Sequence, residues 1–218
     1  GYGDMEITVN ALRAGATDYF SKPFDFREIA RSLKRILNQQ FKKVGYFETG
    51  KFINKATLEL HFPAPLVDVS AVSSHISDYL YMLGFFSINE KLNFGLALTE
   101  AITNSNEHGN LELSSKLKHS EFEGADLFNQ EREKRIHLEP YKDRILRIRV
   151  DVNRQKSVIR IQDEGKGFDV KSFLKIDPLQ AMMNENNYGR GLMIMRLYTD
   201  EVRYNSKGNI IYLTKNRL

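Results

Sequence analysis

Glu100 and Asn104 stand four residues apart in a stretch with helical spacing, so they project from neighbouring positions on one helix face. The pair offers a carboxylate able to take a proton from a hydroxyl or to orient water. Beside it is an uncharged amide oxygen, a hard ligand for Mg²⁺. Further on, Asp163-Glu164-Gly165-Lys166-Gly167 closes a strand-like run. An aspartate there can accept a hydrogen bond from a ring amino group, and each glycine lets backbone approach the ring. Gly189-Arg190-Gly191-Leu192 then opens another helical run, where bare N–H groups and the Arg190 charge favour phosphate. Taken singly, the first block is equally a solvated helix face and the second equally a glycine-containing turn. Together they supply a metal ligand, a base acceptor and phosphate donors, which is what ATP with Mg²⁺ requires.

Other elements must bring these blocks together. Ala56 to Phe62 alternates as a strand with Leu58, Leu60 and Phe62 on one face, and Pro63-Ala64-Pro65 ends it. Val69, Val72, Ile76, Leu80 and Leu83 predict a helix from about Leu66 to Leu83, stopped by Gly84. A second helix starts near Asn89, with Leu92, Leu96 and Leu98 as its expected buried side, and carries Glu100. It runs into Thr103-Asn104-Ser105-Asn106-Glu107-His108-Gly109-Asn110, rich in poor helix formers. A preference broken in the last turns of a good helix marks a place where function outweighs propensity. Residues 144–153 and 157–162 alternate as a hairpin, and 201–205 with 209–215 form a closing hairpin around Ser206-Lys207-Gly208. Between these lie a charged stretch, 111–142, with an amphipathic helix expected over Phe122 to Leu138, and a lid-like segment, 168–188. Met182 and Met183 lie in that segment and Met193 and Met195 follow it, all as core or lid packing residues. The expected fold is an α/β (α+β) two-layer sandwich: a mixed, mostly antiparallel sheet of about five strands, covered by helices on one face.

Composition narrows the function. A 218-residue chain with 41% hydrophobic residues can bury a real core and is not a disordered chain. It has no run of about 18 apolar residues, and its start lacks the basic and apolar regions of a signal peptide, so a cytoplasmic protein with no membrane partner is expected. The absence of cysteine removes thiolate metal sites and cysteine nucleophiles. The net charge of +4 sits in the first quarter: residues 1–56 hold 10 Lys/Arg against 6 Asp/Glu, and the rest of the chain is balanced. That excess is the solvated face of one helix (Arg27, Arg31, Lys34, Arg35), so direct nucleic-acid binding is not expected. His61, His75, His119 and His137 share no metal-ligand spacing. His108, two turns after Glu100, either lines the site or meets the negative end of its helix.

Residues 1–41 read as helix, short strand, helix, with Asp25 capping the second helix and Ile29, Leu33, Ile36 and Leu37 as its stripe. One strand and two helices cannot enclose a core. The segment from Gly1 to Phe24 resembles the last third of a response-regulator receiver domain. The resemblance implies that Lys22 faces the phosphorylated aspartate and that Tyr19 is the rotamer switch. In that family the acidic pair and the acceptor aspartate sit on earlier strands, so this C-terminal fragment of a receiver is not expected to take a phosphoryl group itself. Its uncovered strand and helices make a homodimer through this segment an expectation. Residues 42–56 read as a linker and 57–218 as the second domain.

Over residues 57–218 the order of motifs resembles the GHKL ATPase superfamily, or Bergerat fold. Within it, Glu100-Ala-x-x-Asn104-x-x-x-His108-Gly-Asn110 and Gly189-Arg-Gly-Leu192 are similar to the anti-sigma-factor serine kinases of bacterial partner switching. The resemblance implies that Glu100 is the catalytic base and Asn104 the Mg²⁺ ligand. It implies Asp163 as adenine partner, Gly165 and Gly167 as ring-approach positions, and Gly189, Arg190, Gly191 and Leu192 as the phosphate grip. His108 would border the nucleotide, and Thr214 matches a position whose hydroxyl reaches the base through water. The implied partners are a STAS-like anti-anti-sigma protein and/or a sigma factor, with the receiver segment making this the output domain of a response regulator. The other reading is a module that holds nucleotide and sequesters a partner without phosphotransfer. Residues 111–142 depart from the family, being longer and more charged.

Overall fold

Alternation of apolar and polar residues produces five strands, and in the computed structural model they form one sheet. The structure describes residues 20, 24–33, 49–50, 52–114, 124–175 and 189–217. The strands are β1 (Lys55–Pro63), β2 (Ile145–Asn153), β3 (Lys156–Gln162), β4 (Glu201–Tyr204) and β5 (Ile210–Asn216), in spatial order β1-β2-β3-β5-β4. Every neighbouring pair is antiparallel, which corrects the expected mixed sheet. The connections β2–β3 and β4–β5 are turns too short for a parallel crossover.

One face of the sheet carries Leu146, Ile148, Val150, Val152, Ile159, Ile161, Ile211 and Leu213, all buried. Two helices cover it, α1 (Val69–Met82) and α2 (Ile88–Thr103), contributing Ile76, Leu80, Phe94, Ala97, Leu98, Ala101 and Ile102 to the same core. The opposite face is polar, with Glu59, Arg149, Arg160, Tyr212 and Arg203 in successive register across all five strands. The fold is therefore α+β in two layers, the helices that share the sheet's core lying on one face.

Local chemistry starts each helix where the sequence asks. Asp68 accepts the Ala71 N–H at 2.9 Å at the head of α1. At α2, Ser87 Oγ accepts the Glu90 N–H at 3.3 Å and Glu90 Oε2 accepts the Ser87 N–H at 2.9 Å, a reciprocal capping box. The buried side of α2 differs from expectation. Leu92 and Leu96 are 63% and 53% exposed, and the core stripe is Phe94, Ala97, Leu98, Ala101 and Ile102. Only Leu98 of the three expected leucines lies in that stripe.

After Thr103 the helix widens into a π-helical stretch, Asn104–Asn110, closed by an i→i−5 bond from the Leu111 N–H to the Asn106 carbonyl at 2.8 Å. This is the stretch where the sequence breaks helical preference. Among the described residues three further α-helices follow along the chain, α3 (Gly124–Arg135), α4 (Val170–Leu174) and α5 (Arg190–Tyr198). Phe128 of α3 joins Ala64, Leu111 and Leu113 in a small separate core.

The chain divides into two compact units, residues 1–46 and 47–218. In the first, the described residues form a helix over 26–33, started by Asp25, whose carboxylate accepts the Arg27 N–H at 2.8 Å. Tyr19, Lys22, Ile36 and Leu37 lie outside the described residues, as do 176–188 of the lid-like segment with Met182 and Met183.

Candidate functional site

The site is built on the π stretch, which joins the Glu100/Asn104 face of α2 to the end of β3. At the α2 end, α5 begins on Gly189, whose φ of 93° suits only glycine comfortably. Among the described residues no side chain caps α5, and its first N–H groups have no partner within the helix. This helix start rests directly on the expected catalytic row. A methyl carbon placed on Gly191 would lie 2.7 Å from Glu100 Oε2 and 3.4 Å from Asn104 Nδ2. Among the described residues no hydrogen bond or ion pair holds the Glu100 carboxylate or the Asn104 amide. Arg190 is exposed, and Leu192 is buried in the core, so the grip it offers is its backbone N–H alone.

At the other end, the period-2 alternation of β3 carries Asp163 to the helix-covered face, where it is 5% exposed. Its Oδ1 accepts the Gly165 N–H at 2.9 Å. Burial outweighs that bond and the nearby Lys207 and Arg144 charges, and pushes the carboxyl up to about 6. The two glycine positions beside it are tight. A methyl on Gly109 would come 2.5 Å from Asp163 Cγ, and one on Gly165 would come 2.3 Å from the Gly109 carbonyl oxygen. Gly109, Asp163 and Gly165 thus form one packed corner that only glycine permits.

Other expected residues serve differently. Gly167 (φ 77°) faces the closing hairpin, where a methyl would strike the Lys207 carbonyl oxygen at 1.9 Å. Its neighbour Phe168 donates its N–H to that carbonyl at 3.1 Å and sets its ring edge on Tyr204, centroids 5.2 Å apart. His108 Nδ1 lies 2.6 Å from the Leu113 carbonyl oxygen, which can only accept, so His108 donates there. Thr214 is not brought to Asp163. It pairs with Val158 and Glu201, its hydroxyl lies 3.4 Å from Glu201 Oε2, and strand parity puts it on the polar face of the sheet. The residue of β4–β5 that reaches Asp163 is Asn209: its carbonyl accepts the Asp163 N–H at 3.1 Å and its Nδ2 donates to the Asp163 carbonyl at 3.0 Å.

Sequence reasoning passed over Asn209 and Asn110. Asn110 is fully buried, and its Oδ1 accepts the Glu164 N–H at 2.9 Å. Asn106 donates to the Ala64 carbonyl at 3.1 Å. For Asn110 the signal was present: Asn106 and Asn110 in one helix end are too polar to bury unless each side chain bonds backbone.

The geometry is a packed corner around a buried carboxylate and an open helix start, joined by one polar segment. The chain belongs to the histidine kinase-like ATPase domain family, whose model matches residues 62–215. No curated protein matches it. A domain of this family binds ATP, typically with Mg²⁺. The residues present fit that metal in a limited way. Among the described residues no group of three metal-ligating side chains stands together, so triphosphate oxygens would supply most ligands and the Asn104 amide oxygen the protein's share. No helix among the described residues is long and apolar enough to cross a membrane.

Proposed function

We propose that this domain is an ATP-dependent protein serine/threonine kinase of the anti-sigma-factor type, a regulator that switches partners and forms the output of a response regulator. The observation that carries the reading is the close rest of the α5 start on Glu100, with Asn104 one turn away. Phosphates held at that helix start put the γ-phosphorus beside a carboxylate that no described neighbour restrains.

In the proposed reaction a serine hydroxyl of a STAS-like anti-anti-sigma protein attacks the γ-phosphorus. The new Oγ–P bond forms as the bond to the β,γ-bridging oxygen breaks, ADP leaves, and Glu100 takes the hydroxyl proton. Mg²⁺ offsets the negative charge on the phosphates. The Arg190 side chain, exposed at the helix start, adds positive charge to the same end.

The test uses the full chain, γ-labelled ATP and a recombinant STAS-like anti-anti-sigma protein, with wild type and Glu100→Ala. Labelled serine in the wild type, reduced by about 10²- to 10⁴-fold in the variant with ATP still bound, is the expected result. Bound ATP with no label in either protein would replace the kinase by a sequestering module.

A further inference from the structure

The charged stretch that departs from the family ends in a clamp on the adenine corner. Arg144, at the mouth of β2, donates from Nη1 to the Asn110 carbonyl at 2.6 Å, with the Gly109 carbonyl at 3.5 Å, and its Nη2 donates to Glu112 Oε1 at 2.9 Å. Arg135, the last residue of α3, donates from Nη1 to the Leu111 carbonyl at 2.7 Å and also to the Glu112 carbonyl. Four consecutive carbonyls, those of Gly109 and Asn110 at the end of the π stretch and of Leu111 and Glu112 just past it, are thereby met by two guanidiniums. Both guanidiniums lie 5.0 Å from the centre of the Tyr141 ring, which fixes their planes. Glu112, between them, adopts a φ of 50°, the only positive value at a non-glycine among the described residues.

The path from clamp to site is short. Arg144 fixes the Asn110 main chain; the Asn110 side chain fixes the Glu164 N–H, one residue after Asp163; and Gly109 packs against Asp163 itself. We propose that Arg144, Arg135 and Tyr141 are positioning residues that hold Gly109 and Asp163 at the separation an adenine edge requires, so that these three set base selectivity. This rests on the nucleotide reading of the site.

The experiment compares ATP with ITP, which carries an oxo group where adenine has its amino group and the same triphosphate. Dissociation constants come from calorimetry with magnesium on the full chain, alongside thermal melts. For Arg144→Ala the ATP affinity falls about tenfold while ITP changes less than about twofold, so the ATP/ITP preference collapses. Arg144→Lys keeps the charge without the fork and loses preference too. A general loosening of the fold would weaken both nucleotides in proportion. A folded Arg144→Ala protein that keeps the wild-type preference overturns the proposal. If Arg144→Ala does not fold, Tyr141→Leu and Arg135→Gln are read by the same ratio, and unchanged preference in both overturns it equally. A wild type that binds neither nucleotide, or binds both alike, removes instead the adenine role of Asp163 on which the proposal rests.

Discussion

The two ends of the site are built in opposite ways. At the corner proposed for adenine, Asp163 is held through its N–H, its carbonyl and its carboxylate, and Gly109 and Gly165 leave no room for a methyl. At the end proposed for the phosphates, Glu100 and Asn104 lie against the start of α5, and among the described residues no side chain bonds them or caps α5. Recognition of a flat base benefits from a rigid frame, because each bond is then formed without ordering cost. A group that must change protonation and admit a second substrate is better left unbonded until substrate arrives.

The same substitution at both ends breaks or sharpens this contrast. Gly165→Ala drives a methyl into the Gly109 carbonyl oxygen, a backbone atom with no rotamer to change. We expect a loss of about 3 kcal/mol in urea unfolding and no measurable ATP binding by calorimetry. Gly191→Ala meets the far ends of two side chains, Glu100 at 2.7 Å and Asn104 at 3.4 Å, which can swing aside. Its stability should stay within about 0.5 kcal/mol of wild type while phosphoryl transfer falls roughly tenfold or more, because the carboxylate is displaced. Equal destabilisation by the two alanines would show that the ends are equally rigid.

Asp163 carries the next largest effect, and its sign is informative. Burial raises its carboxyl from 3.8 to about 6, so the folded state binds the proton more tightly than the unfolded one. The stability this gives is fully present below pH 3.8 and is lost as pH rises through about 6. The ligand-free protein at neutral pH therefore bears the cost of a buried charge, which the proposed adenine contact would offset. Asp163→Asn removes that cost, and we expect it to raise the unfolding free energy at pH 8 by about 2 kcal/mol, with the gain vanishing near pH 4. In the wild type the ATP/ITP preference should climb as pH rises through about 6, because the ionised carboxylate is the better acceptor; comparing two triphosphates cancels titration of the phosphates. A preference flat from pH 5 to 8 would sink the role of Asp163.

How much of this was legible in the sequence follows the same divide. The strands appeared as alternation because a sheet with one covered face demands it, from Leu146 through Val152 and again in Ile159 and Ile161. The three blocks of the site were visible as residue types in order, and the broken helical preference of 104–110 is a real π turn. The buried side of α2 was misread because leucine is the default core residue. Here Ala97 and Ala101 let the helix approach the sheet, and Leu92 and Leu96 fall on the row that leads instead to Glu100 and Asn104. The Arg144 and Arg135 clamp was illegible because it joins residues 23 to 35 positions apart that no local period relates.

Thr214 gives the smallest expected effect and the sharpest test of strand parity. A threonine on the last strand invites the role of a water-mediated base contact. Its register partners are Val158 and Glu201, and adjacent Leu213 points into the helix-covered core, so Thr214 points the other way. The 3.4 Å contact with Glu201 is long for a hydroxyl, and its loss should cost under about 0.5 kcal/mol. Thr214→Val is therefore expected to leave ATP affinity within about twofold of wild type. A tenfold loss with unchanged melting would mean that β5 is shifted by one residue in solution, which would also exchange Asn209 for a neighbour at the adenine corner and undo the frame argued above.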